Sequence, residues 1–334
     1  MDRSGGHHGS GHPIAADIAT TRAGEVGAHL IPNDPIPVLE IGGTHVTAVL
    51  VTSNPWDLVH ETLSTARLNA DGTSAEVLDE LAAAANGLQV RRRSDWVVAV
   101  PGPFDYRRGV GLFRDVGKFD NLYGVDVRRG LMIRIRPGPS AVRFLNDADA
   151  FGVGEYAAGA ARGHDRAVCI TLGTGVGSAF LDRGRPVNSG PTVPPDGSIH
   201  LLVHEGQPLE ETVSRRAIRA AYAAAAGGSP DNVAPDVHAI AERSRHGDDL
   251  ARAVLAHAFA GLGAALAPLL VRFEASIVVI GGSMAGSWDI VEPAVRLGLS
   301  ETASDLGHVE VRPAERNQVA ALLGAAFWSV NQQD

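Results

Sequence analysis

The chain has 334 residues, a formal net charge of −9 and 45% hydrophobic residues. That is length enough for two ordinary domains with cores of their own, and a composition of folded rather than disordered chains; the acidic balance, with no basic tract to offset it, disfavours nucleic acid as a partner. Cys169 is the only cysteine, so a disulfide within the chain and a multi-cysteine zinc site are excluded and a cytoplasmic protein is expected.

Residues 1–35 are rich in Gly, His and Pro and lack the apolar segment of a secretory signal. They read as a flexible extension, with His7, His8 and His12 in a solvated tail. Order is predicted from Ile36. Pro37 to Ile41 forms a strand, Gly42-Gly43-Thr44 turns, and Val46 to Thr52 returns as a second strand. Glycines let a backbone approach an anion, and the threonine hydroxyl with neighbouring N–H groups suits phosphate oxygens; the plain alternative is an ordinary hairpin turn. Ser74 to Ala85 has helical spacing through Val77, Leu78, Leu81, Ala84 and Ala85. Trp96 to Val100 is a strand that ends in the fixed loop Pro101-Gly102-Pro103, which either holds a substrate or turns the chain. Asp105 to Gly109 reads as a hairpin turn, and Asn121 to Arg129 as a surface segment folding over a cleft.

The run Ala141 to Leu145 is a buried strand ending in Asn146-Asp147, where a helical pattern starts. Open α/β sheets place ligands at such strand ends. Asp147 is read as a general base that takes a proton from a hydroxyl; the alternative is that it only caps the helix. From about Asp165 the first motif is echoed: strand Ala167 to Leu172, turn Gly173-Thr174-Gly175-Val176-Gly177, and a returning strand Ser178 to Leu181. Two halves that each open with a glycine hairpin could grip one nucleotide from both sides of a cleft. A Pro- and Gly-rich loop over 184–208 carries His200, His204 and Glu205 and is expected to be either functional or disordered. One helix is predicted over Leu209 to Ala225, with Glu210 and Glu211 complementing its dipole, and further helices over about 233–243 and 248–272. Ala253 to Val271 is apolar enough to raise the question of a membrane span, but its Gly, Pro and His content favours a buried core helix. Ser276 to Ile280 is a strand ending in Gly281-Gly282-Ser283 before a helix start near Trp288, another seat for a nucleotide. A short strand at Val309 to Arg312 and a helix over Gln318 to Val330 close the chain.

Six of these pieces carry a resemblance. Ile41-Gly42-Gly43-Thr44, Pro101-Gly102-Pro103, Asn146-Asp147-Ala148, Leu172 to Gly177, Leu209-Glu210 with Ser214, and Ile280-Gly281-Gly282 occur in order over about 36–330, and the chain resembles the ROK family of sugar kinases in the actin/hexokinase-like superfamily. The resemblance implies an α/β, two-domain actin-like ATPase (ribonuclease H-like) fold, with duplicated sheet-and-helix halves and a central cleft. The domains expected are 36–147 and a larger 148–330, the last helix packing back on the first. It implies ATP with Mg²⁺ and transfer of the γ-phosphate to a hydroxyl of a hexose-like ring. Asp147 is then the catalytic base. Asn146, Glu210, His200, Gly102 and Pro103 face the acceptor. Gly42, Gly43, Thr44, Gly173, Thr174, Gly175, Gly281 and Gly282 line the ATP site. A homodimer is implied, with no membrane and no nucleic acid partner. The family also includes repressors, but these need an added DNA-binding domain, for which residues 1–35, with Arg3 and Arg22 as their strong bases, are too short.

Three departures refine this. Glu40 stands where the family has Asp before the first turn, which leaves metal contact through water. The stretch Gly197-Ser198-Ile199-His200 replaces the family's Gly-Glu-Ile-Gly-His, with Ser198 where a glutamate would meet the ring, and no cysteine cluster follows, so zinc is not expected. The segment from Pro101 to Arg128, including Gly117-Lys118-Phe119-Asp120, is similar to zinc-free relatives, among them kinases of C7-cyclitols in antibiotic biosynthesis. The expected acceptor is therefore a primary hydroxyl on a hexose-like ring, leaning to a cyclitol or modified sugar, with the glucokinase of central metabolism and a sugar-responsive regulator as alternatives.

Overall fold

The computed structural model describes residues 34–227 and 235–331. The extension read over 1–35, except for its last two residues, and the beginning of the helix expected from about 233 lie outside them. Strands β1 (Ile36–Ile41), β2 (His45–Ser53), β3 (Trp56–Leu58) and β4 (Ser64–Arg67) come first, followed by helix α1 (Ser74–Gly87) and strand β5 (Asp95–Val100). A small hairpin, β6 (Phe104–Asp105) and β7 (Val110–Gly111), and helix α2 (Val127–Arg134) lead to β8 (Ala141–Asn146) and directly into α3 (Asp147–Ala158). Then come β9 (Arg166–Leu172), β10 (Val176–Asp182), β11 (Arg185–Pro186) and the ribbon of β12 (Val203–His204) and β13 (Gln207–Pro208). Helices α4 (Glu210–Val213), α5 (Arg215–Ala225), α6 (Val237–Arg245) and α7 (Asp249–Phe273) follow. Strand β14 (Ile277–Gly281), α8 (Trp288–Thr302), β15 (Glu310–Pro313) and α9 (Ala320–Asn331) complete the order.

The strands form two sheets with the same plan. In the first, the order is β3-β2-β1-β5-β8, with β4 also pairing β2; in the second it is β11-β10-β9-β14-β15. Each opens with an antiparallel hairpin, β1 with β2 or β9 with β10, and continues with parallel strands. The echo read from two glycine turns is thus an echo of whole sheets.

Side chains alternate across these strands with a period of two. Trp96, Val98 and Val100 of β5 pack with α1 and α2, while Val97 and Ala99 face the middle of the molecule. Likewise Val168, Ile170 and Leu172 of β9 pack toward α7 and α8, and Ala167 and Cys169 face the middle. Both faces are covered, so the central strands read as unbroken apolar runs. The middle layer is the pair α3 and α9, whose Ala150, Phe151, Val153, Leu322 and Leu323 share one core with both sheets. The apolar helix α7 is long enough to cross a membrane by length and composition, yet Leu255, Phe259, Leu262 and Leu266 are buried against the second sheet.

One sequence expectation is corrected here. The helix predicted over Leu209 to Ala225 is two helices, because Ser214 takes an extended backbone (ψ 157°) and caps α5 by accepting from the Ala217 N–H. The segment Asn121 to Arg129 lies at the surface, with Asn121, Tyr123, Gly124, Asp126 and Arg129 exposed, while Leu122 and Val127 are buried and α2 begins within it. Short edge strands β3 and β4 were not anticipated.

Helices α3 and α9 meet backbone to backbone. A Cβ on Gly154 would collide with the Ala320 carbonyl, and one on Gly324 with the Ala150 carbonyl. Gly154→Ala and Gly324→Ala are each expected to cost about 3 kcal/mol of stability or more, read as a lower denaturant midpoint. Gly286→Ala, whose Cβ would meet open space, should change stability by no more than about 0.5 kcal/mol.

Candidate active site

Three parallel strands bring the first group of residues together at their carboxyl ends. Glu40 of β1 pairs with Ala99 of β5, and Ala99 pairs with Leu145 of β8. Glu40, the loop starting at Pro101, and Asn146-Asp147 therefore lie side by side, at strand spacings of about 4.8 Å. The β1–β2 turn follows two residues after Glu40. It closes through a bond from the Gly42 N–H to the His45 carbonyl (2.8 Å), and the Thr44 carbonyl accepts from Leu68 N–H (2.8 Å).

The helix cap is Asn146, not Asp147. The Asn146 Oδ1 accepts from the N–H groups of Ala148 (2.9 Å) and Asp149 (3.1 Å), and its amide Nδ2 donates to the Tyr106 hydroxyl (2.9 Å). Asp147 is the first residue of α3, with its Oδ1 accepting from Ala148 N–H (2.9 Å). Relieved of capping, this carboxylate is placed by the helix start without being consumed by it. Burial pushes its pKa up, while the Ala148 N–H and the charge of Lys118 pull it down; the net direction is up. A carboxylate with a raised pKa is a better proton acceptor than an exposed one.

Two further acids share this environment. Glu40 is raised to about 7, first by burial and then by the Asp147 charge. Asp149, only 4% exposed, is raised to about 7 by burial and by Asp147, although Asn188 Nδ2 donates to it at 2.9 Å. Asp149 and Asn146, with Tyr106, Arg185, Asn188 and Trp328, line a cavity of about 420 Å³. Burial also pushes the Tyr106 hydroxyl up, so it stays protonated. Gly102, beside Pro103, lies against the Tyr106 hydroxyl: a Cβ there would be 3.4 Å from it.

The second group gathers at the carboxyl ends of β9 and β14. The β9–β10 turn closes from Gly173 N–H to Gly175 carbonyl (3.0 Å), leaving Thr174 at its tip. Gly281 pairs with Thr171, and Gly282 (φ 85°) passes so close to the Leu172 carbonyl that any Cβ would collide with it. Asn317 clamps this turn: the Gly282 N–H donates to Asn317 Oδ1 (2.7 Å), and Asn317 Nδ2 donates to the Gly282 carbonyl (3.2 Å). The break at Ser214 lets the Arg215 N–H, at the start of α5, reach the Gly173 carbonyl (3.0 Å). Glu210 turns back to accept from Val176 N–H (3.2 Å), and its own N–H donates to the His200 carbonyl (3.1 Å). The structure thus joins Glu210 and His200 to each other and to the second glycine turn. His204 instead packs on α7, where a Cβ at Gly261 would lie 3.0 Å from its ring. Among the described residues no group of three or more His, Cys, Asp and Glu side chains is placed to hold a metal ion.

Tyr106, Asp149, Asn188, Asn317 and Lys118 were not among the residues singled out for the site. The sequence offered a faint signal for one: Asp149 sits two residues beyond Asp147, a second acid in the first turn of a helix otherwise made of apolar residues.

Two sheets of one plan, each with its glycine hairpin beside parallel strands, define the actin-like ATPase fold. The chain belongs to the ROK family, whose model matches residues 37–332. It is similar to a glucokinase of Thermotoga maritima (26% identity, covering 69% of this chain and 77% of that one) and to a glucokinase of Streptomyces coelicolor (27%, covering 77% and 84%). The fold superposes with a TM-score of 0.70 on a ROK family glucokinase from Streptomyces griseus solved in complex with glucose and AMPPNP, at 22% identity, covering 88% of this chain and 98% of that one.

The buried acids make stability depend on pH. Asp149 holds its proton more tightly folded than unfolded, since its pKa rises from the ordinary 3.8 to about 7. Its stabilising contribution is therefore complete below 3.8 and is lost as pH rises toward 7. Asp149→Asn is expected to unfold at higher denaturant than the parent at pH 8, with the gap closing toward pH 4; parallel pH profiles would count against a raised Asp149.

Proposed function

We propose that this chain is an ATP-dependent sugar kinase that transfers the γ-phosphate to a primary hydroxyl of a hexose-like ring. The observation that carries the reading is the division of the site. One sheet supplies a carboxylate, Asp147, freed from capping by Asn146. Each sheet also supplies a glycine turn whose backbone can meet phosphate. Phosphoryl transfer needs little covalent help from the protein, and is mostly positioning and charge neutralisation.

In the step, the acceptor oxygen forms a bond to the γ-phosphorus as the bond to the β–γ bridging oxygen breaks. The hydroxyl proton passes to Asp147, and ADP departs with the bonding electrons. Asn146 keeps one Nδ2 hydrogen beyond the one given to Tyr106, and this hydrogen, with Glu210 and His200, orients the ring. The turns at Gly42 to Thr44 and Gly173 to Gly175, with Gly281-Gly282, hold the nucleotide. The residues also fit Mg²⁺. A carboxyl raised to about 7 by burial and a neighbouring acid, as Glu40 is, is one that a divalent cation would keep ionised. Mg²⁺ would neutralise triphosphate charge, with Glu40 holding it through water and no zinc taking part.

The two sheets are read as two lobes, 36–147 and 148–330, that close on the ligands. Acting as a homodimer, without nucleic acid or membrane, completes the proposal. For the acceptor, Ser198 is the informative residue. Its hydroxyl donates to the Asp196 carbonyl (3.4 Å), and it brings no carboxylate to the ring where glucose-type members have one. An unmatched polar contact discriminates strongly, so we lean to a C7-cyclitol or modified sugar. The glucokinases among the relatives make glucose the acceptor to set against it.

Purified protein with ATP and Mg²⁺, offered glucose, mannose, an aminosugar and a C7-cyclitol with mass detection, should phosphorylate at least one. Asp147→Asn should retain fold and nucleotide binding and lose turnover by at least about 100-fold; turnover near the parent's would remove Asp147 from its role.

A further inference from the structure

Lys118 is the chain's one lysine; every other strong base is arginine. It lies in the segment between β7 and α2, and its side chain reaches the first glycine turn: a Cβ placed on Gly43 would be 3.3 Å from the Nζ and 3.5 Å from the Cδ. Its charge also acts on Asp147, at the end of β8. The ammonium thus stands beside the first glycine turn and within electrostatic reach of Asp147.

The next residue fixes this placement. Phe119 is 1% exposed, stacks at 5.3 Å from Phe113, and donates its N–H to the Ala70 carbonyl (2.9 Å). The preceding turn is tied by the Val116 N–H on Asp120 Oδ1 (3.2 Å). Lys118 itself is exposed and, among the described residues, makes no ion pair with an acid within 4.0 Å, whereas many of the arginines do. A pinned backbone with an unengaged ammonium is a poor stability device and a suitable phosphate ligand, because lysine binds phosphate as a compact point charge.

We propose that Lys118 is a catalytic residue of the transfer, its ammonium touching the γ-phosphoryl group between the Gly42–Thr44 turn and the Asp147 carboxylate. This rests on the kinase reading above. As the bond to the acceptor oxygen forms and the bridging bond breaks, charge spreads over the γ-phosphoryl oxygens, and a fixed cation there stabilises that arrangement more than the bound substrates. Lys118 keeps its proton throughout; the hydroxyl proton goes to Asp147.

The test separates γ-phosphate contact from general damage. Lys118→Met should lower kcat at least 100-fold with the acceptor KM within threefold. By titration calorimetry it should weaken a non-hydrolysable ATP analogue about tenfold and leave ADP within twofold, since only the triphosphate carries the γ-group. Lys118→Cys alkylated with 2-bromoethylamine rebuilds the ammonium on a thioether stem, while Cys169 is fully buried and out of reach of the reagent. This protein should recover at least a tenth of parental kcat. A kcat within threefold of the parent in Lys118→Met, equal losses for ATP analogue and ADP, or no recovery on alkylation would each overturn the assignment. A parent protein inactive on every acceptor would count against the kinase reading instead, and the ATP-against-ADP contrast would still decide whether Lys118 meets a γ-phosphate.

Discussion

The structure depends on the crossing of α3 and α9 between the two sheets. Bare backbone meets bare backbone at Gly154 and Gly324, so the helices approach more closely than side chains would permit. Such an approach adds Cα–H···O contacts and dense dispersion contact to ordinary burial. Glu155, fully buried, locks the arrangement further. Its carboxylate accepts N–H bonds from Ala160 (2.8 Å), Glu315 (3.1 Å) and Arg316 (2.7 Å), tying the end of α3 to the segment before α9. Asp147 is the first residue of that same α3 and follows β8 without a linker. Its position is therefore set by a closely packed helix pair, and reaction geometry is what phosphoryl transfer demands most.

Against that rigid frame stands an electrostatic cost. The Asp147 charge raises both Glu40 and Asp149, and each of the three is raised by burial. Retaining three acids where water is scarce makes sense if cations arrive with the ligand, because low effective dielectric magnifies both repulsion in their absence and attraction in their presence. The start of α3 already offsets part of the cost, through the Ala148 N–H at Asp147.

Much of this was legible in the sequence because backbone chemistry wrote it there. Unbroken apolar runs marked strands covered on both faces, and glycines marked the two turns and the Gly281-Gly282 bend. What stayed hidden was set by tertiary contact. Tyr106 enters the site through a bond with Asn146, forty residues away in sequence, and Asn317 clamps Gly282 across thirty-five. The break at Ser214 ran against strong helical spacing in Leu209 to Ala225; it is imposed by the reach of the Arg215 N–H to the Gly173 carbonyl. Whether Asp147 caps α3 could not be read from the sequence, because the answer required knowing which of two adjacent side chains faces the helix N–H groups; the cap is Asn146.

The likeness of the two sheets makes their difference informative. Glu40 stands two residues before the first glycine turn; the position two residues before the second is Thr171, a neutral side chain. Three acids with raised pKa values, Glu40, Asp147 and Asp149, thus lie at the first sheet, while the second turn carries the Glu210 carboxylate on the Val176 N–H and is braced by the start of α5 and the Asn317 clamp. On the proposed reading, two like-charged partners, a triphosphate and a carboxylate, must come together for the proton and the phosphoryl group to move in one step. The fold gathers these acids at the end of the first sheet, and Lys118 reaches the glycine turn beside them. A duplicated scaffold is symmetric in its strands because packing is indifferent to the reaction; it loses that symmetry at the strand ends, where opposite charges are needed on opposite sides of the bond being made.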